Sequence, residues 1–95
     1  MNNMDKEILM KFIYRILRHD QSSMAALEQL REILIAQNAP EELSGAVAEV
    51  IDCHYDAVRL ARQTGTFTAA DIAEAKRRKE QRLEEERMYR MYGRC

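Results

Sequence analysis

Between Lys76 and Arg87 the chain reads KRRKEQRLEEER, and Leu83 is the only apolar side chain in that run. A run of this kind forms helix readily but cannot line a core. Whatever core the protein builds must therefore come from the residues before it. A chain of 95 residues buries roughly two-thirds of the surface its unfolded form exposes, which supports one modest core. The expected organisation is a helical bundle over residues 1–75 followed by a charged helical extension over residues 76–95, ending in an apolar tip.

Three glycines and one proline leave little to interrupt helices, and no stretch alternates apolar and polar residues as a half-buried strand would. The spacing of apolar residues predicts an all-α protein: a three-helix antiparallel bundle with a long, highly charged fourth helix at its C-terminal end. The first helix is expected from about Met4 to His19, with Ile8, Leu9, Phe12, Ile13, Ile16 and Leu17 on one broad face. Cap-type side chains at 20–23 open a second helix that runs to about Gln37, with Leu27, Leu30 and Leu34 inward and Met24, Ile33 and Ile35 beside them. Pro40 suits the first turn of a third helix, expected to run unbroken to about Gln63. Gly45 and the alanines of that helix are expected to let neighbours approach closely. Thr68, with Asp71 three residues later, resembles a capping box and opens the fourth helix.

Within the fourth helix the bases come first and the acids follow. Lys76–Glu80 and Arg82–Glu86 stand four apart, while Arg78–Arg82 and Glu80–Glu84 set like charges at the same spacing. Each such term is worth only a few tenths of a kcal/mol, so the segment is helical without being firmly locked. Three roles fit it: a solvated extension, a self-association helix with Leu83 as its one apolar knob, or a nucleic-acid contact through Lys76, Arg77, Arg78, Lys79 and Arg82. The last would need further bases, such as Arg59 and Arg62, because Glu80 and Glu84–Glu86 repel phosphate. Beyond Arg87 come Met88, Tyr89, Met91 and Tyr92, residue types enriched at protein interfaces. That tip either folds back on its own bundle or meets another chain.

Site chemistry is scarce. Three glycines cannot build a phosphate-cradling loop, and the metal-binding spacings Cys-x-x-Cys and His-Glu-x-x-His are absent. Cys53 and His54 are adjacent and diverge by about 100° on a helix, so they do not share a metal ion unaided. Cys53 has no histidine or lysine three or four residues away to activate it. His54 is expected to be satisfied by a neighbouring helix. No enzyme activity, cofactor or metal is expected. The two cysteines, Cys53 and Cys95, are read as reduced thiols.

No apolar run approaches membrane-spanning length and the N-terminal residues lack a signal layout, so a cytoplasmic protein with no membrane partner is expected. Formal net charge is -1 and names no partner by itself. The segment Gly65-Thr66-Phe67-Thr68-Ala69-Ala70-Asp71-Ile72-Ala73 resembles the opening of the first helix in many helix-turn-helix units. That family continues with a short turn and a recognition helix, whereas this sequence runs on through KRRKEQRLEEER. The leading expectation is a small protein-binding module, an adaptor, inhibitor or regulatory subunit, that forms a homodimer. Leu83, Met88, Tyr89, Met91 and Tyr92 would be its contact residues. The alternative is a nucleic-acid-binding regulator using the bases at 76–82.

Overall fold

The computed structural model describes residues 3–19 and 21–92, with side-chain surroundings for 6–19 and 21–90. Among these residues there is no strand, and the chain forms α1 (Asn3–His19), α2 (Ser23–Ala36), α3 (Glu41–Asp52), α4 (His54–Thr64) and α5 (Ala69–Tyr92). The all-α expectation holds at that level. The expected unbroken third helix does not, because Cys53 interrupts it. The Cys53 backbone sits at φ −112°, ψ 34°. Its thiol donates to the Glu49 carbonyl at 3.2 Å, as does its own amide at 3.2 Å. Neither glycine nor proline marks the break, which is why periodicity alone runs through it.

Pro40, expected inside the first turn of the third helix, stands one residue before α3 as its N-cap, because its ψ of 141° is extended rather than helical. Helix α2 closes with Asn38 in the left-handed region, φ 54°. The Ala39 amide reaches Leu34 O at 2.9 Å and the Asn38 amide reaches Ile35 O at 3.1 Å, the paired bonds of a Schellman ending. Gly65 ends α4 at φ 74° with its amide on Ala61 O at 3.0 Å. At the start of α5, the Asp71 carboxylate accepts from the Thr68 amide at 2.7 Å and the Thr68 hydroxyl at 3.1 Å. That supplies the acid's half of the capping box.

The core draws Leu9, Ile13 and Leu17 from α1, Leu27 from α2, Val47 and Val50 from α3, and Ala57 and Leu60 from α4. Phe67, Ile72 and Ala75 complete it from the α4–α5 loop and the first two turns of α5. The inward faces of α1 and α2 are narrower than expected: Ile8, Phe12, Met24, Ile33 and Ile35 stand exposed, and Leu30 and Leu34 pack on the core only in part. Gly45 is a further correction. A Cβ built there meets nothing within 4 Å, so this glycine serves no close helix approach. His54 is met by the buried Ser23 hydroxyl of α2. Burial lowers the His54 pKa from its ordinary value and favours the neutral ring.

No helix among the described residues is long and apolar enough to cross a membrane. The radius of gyration is 15.1 Å, within an envelope of 54 × 26 × 25 Å. A compact chain of this length has a radius near about 12 Å. The excess comes from α5, whose 24 residues span about 36 Å.

Candidate interaction surface

Helix α5 presents one seam at alternating three- and four-residue spacing: Ile72, Ala75, Lys79, Arg82, Glu86 and Tyr89. This is the spacing of residues that face a packing partner. Along the seam the chemistry changes from apolar to basic, then to acidic and aromatic. Ile72 and Ala75 are buried in the core. From there onward, charge replaces apolar packing.

An acidic ridge on α3 and α4 receives the basic stretch. Lys76 Nζ lies 3.6 Å from Glu49 Oε1, Lys79 Nζ lies 3.2 Å from Asp52 Oδ1, and Arg82 Nη2 lies 3.2 Å from Asp56 Oδ2. Lys79 also donates to the Asp52 carbonyl oxygen at 2.7 Å. Asp56 is the one buried member of the ridge, 6% exposed, and Arg82 is what neutralises it. The Arg82 guanidinium also stands over the Tyr55 ring at 5.0 Å, with Arg59 over the same ring at 5.8 Å. Hydrogen bonding to Asp56 raises the Arg82 pKa above its already high ordinary value.

The remaining two bases of the run are engaged within α5. Arg77 Nη2 lies 2.7 Å from Glu74 Oε1, and Arg78 Nε lies 3.0 Å from the same oxygen. Hydrogen bonds from Arg77 and then Arg78 hold the Glu74 carboxyl at about 2. Arg78 further donates to Gln63 Oε1 on α4 at 2.8 Å. Lys76, Arg77, Arg78, Lys79 and Arg82 therefore each have a carboxylate of the same chain within ion-pair distance. Sequence reading treats consecutive bases as pointing apart, yet every third one forms a stripe against the body. The only trace in sequence is that Glu49, Asp52 and Asp56 recur at three- and four-residue spacing, which does not say what those carboxylates face. Arg82–Glu86, read from sequence as an i,i+4 pair, forms at 3.7 Å, whereas Lys76 pairs with Glu49 rather than Glu80.

Past Arg82 the support ends. Every described side chain from Leu83 to Arg90 is exposed, and none makes a hydrogen bond or ion pair to another helix among the described residues. Leu83 is 43% exposed, Met88 49% and Tyr89 81%. A recess of about 350 Å³ on this stretch is lined by Arg82, Glu85, Glu86, Tyr89 and Arg90. The backbone of Met91 and Tyr92 continues the helix, and their side chains lie outside the described residues. Helix α5 contains no turn after Ala73, so the helix-turn-helix resemblance ends at its first helix.

A second recess lies at the opposite end of α5. It encloses about 710 Å³ between α1 and the α4–α5 loop, with Met10, Tyr14 and Phe67 among its walls and Lys6, Glu7 and Lys11 along its α1 side. Lys6 is paired with Glu42 at 3.0 Å. Among the described residues no group of three or more His, Cys, Asp or Glu is placed to hold a metal ion. Burial, and then the neighbouring Asp52, push the Cys53 thiol pKa up, which leaves it a poor nucleophile. No protein-family model matches the sequence, and neither a characterised protein nor a solved structure matches it at a significant level.

Proposed function

We propose that this protein is a small binding module that associates with a second copy of itself through the distal part of α5. The observation that carries the reading is a packing seam that outruns its own support. Ile72 through Arg82 rest on the body, while Glu86 and Tyr89 continue the same face with no other helix bonded to it among the described residues. A Tyr side chain offers large contact area at low conformational cost, and leaving one 81% exposed forgoes the burial it brings at an interface. Leu83 and Met88 flank it, and Met91 and Tyr92 extend the same apolar tip in sequence.

The alternative, a nucleic-acid contact through the bases at 76–82, draws less support. Each of those bases is already matched by a carboxylate of the chain. Phosphate would have to displace those partners and approach past Glu80 and Glu84–Glu86.

Sedimentation equilibrium of the full chain and of Tyr89→Ser, each at low and high salt, tests the proposal. The full chain is expected to be dimeric with modest salt dependence, and the variant to be monomeric or at least tenfold weaker in association. Equal association by both proteins would remove the tip from the interface. A full chain that is monomeric but binds a labelled oligonucleotide, with affinity falling steeply as salt rises, would favour the alternative.

A further inference from the structure

We infer that the recess between α1 and the α4–α5 loop receives the α5 tip of a second copy, with the exchange made reciprocally. This rests on the self-association reading above and names the surface that accepts the tip. Three observations converge on it.

The first is chemical fit. Met10 and Phe67, core residues 5% and 3% exposed, form part of a wall that is otherwise open beside Tyr14 and Ala70. A recess of about 710 Å³ lies within the size range of sites that enclose a large apolar group. Tyr89 supplies such a group and has no cover of its own.

The second is charge. Glu7 and Lys11 stand one turn apart on the α1 side of the recess, and neither makes an ion pair among the described residues. Glu86, whose partner in its own chain is Arg82 at 3.7 Å, and Arg90 stand one turn apart on the tip, on either side of Tyr89 in sequence. With the two helices running in opposite directions, Lys11 meets Glu86 and Glu7 meets Arg90. Glu85, which lines the same stretch as Glu86 and makes no ion pair among the described residues, adds negative charge beside it.

The third is reach. From Ala69, at the recess, to Tyr89 is 20 residues of the same helix, a separation of about 30 Å. A chain with α5 straight cannot place its tip in its own recess. A second copy related by a two-fold axis, its α5 antiparallel, places each tip at the other's recess. The contact is then made twice.

Sedimentation velocity on charge-reversal variants in about 0.1 M salt decides the question. Lys11→Glu and Glu86→Lys are each expected to weaken the dimer at least tenfold, and the double variant Lys11→Glu/Glu86→Lys to recover most of that loss. All these side chains are exposed, so helical circular dichroism should be unchanged and serves as the folding control. If Lys11→Glu dimerises like the unaltered chain while Tyr89→Ser does not, the tip binds elsewhere: the inference fails and the proposed function stands. If the unaltered chain is monomeric at all concentrations, both fail together. Assemblies that grow beyond two copies would overturn the reciprocal exchange.

Discussion

At the scale of single residues, the two described glycines make opposite predictions. Gly45 lies inside α3 with nothing near its would-be Cβ. Replacing it with alanine should stabilise the fold by about 0.5–1 kcal/mol through helix propensity alone. Gly65 has equal space but a φ of 74°, so Gly65→Ala should destabilise by about 1–2 kcal/mol from backbone strain. Urea denaturation of both variants checks the pair, and a shared sign would contradict the account of either position. His54 gives a pH signature. Its folded pKa lies below the unfolded value of about 6.5, so the unfolded chain binds the proton more readily. The stabilisation is complete above the unfolded pKa and is lost as pH falls through the folded one. The urea midpoint should therefore drop between pH 7.5 and 5.5, and drop less in His54→Gln.

At the scale of elements, α5 is held in two different ways. Ile72 and Ala75 anchor it by burial, while Lys76, Lys79 and Arg82 hold it by ion pairs in which only Asp56 is deeply buried. Partly exposed pairs are worth less than about 1 kcal/mol each and weaken with salt. Ile72→Ala should cost about 2–4 kcal/mol, whereas Lys76→Ala should cost less than 1. Raising salt from about 0.05 to 0.5 M should speed amide exchange over residues 76–90 and leave 69–75 protected. Exchange rising equally along the whole of α5 would show that the helix releases as one unit. This division was half legible in sequence. The loss of apolar residues after Ala75 and the capping pair Thr68–Asp71 could be read directly, because both are local. The ladder could not, because Glu49 and Lys76 meet only after folding. The break at Cys53 was hidden for a related reason: the bond from its thiol to Glu49 O leaves no mark on apolar periodicity. The Schellman ending at Asn38 falls just past Gln37, where the second helix is expected to end.

At the scale of the whole molecule, the excess radius and the long envelope have one source, a helix longer than the body it packs on. The apolar tip was legible as residue types, but whether it folds back was not; Met88 and Tyr89 stand exposed only in the folded chain. Its setting was not legible either: the side chains that carry the packing seam into the tip, Glu86 and Tyr89, are recognisable only once Lys79 and Arg82 are seen facing the acidic ridge. The recess lined by Lys11 and Phe67 joins residues distant in sequence and could not be read from spacing. The most direct measurement is molar mass by light scattering, under reducing conditions, of the full chain beside a version ending at Arg87. The account predicts a dimer that becomes a folded monomer on removal of the tip. A dimer that survives the truncation, or a full chain that is monomeric throughout, would contradict it.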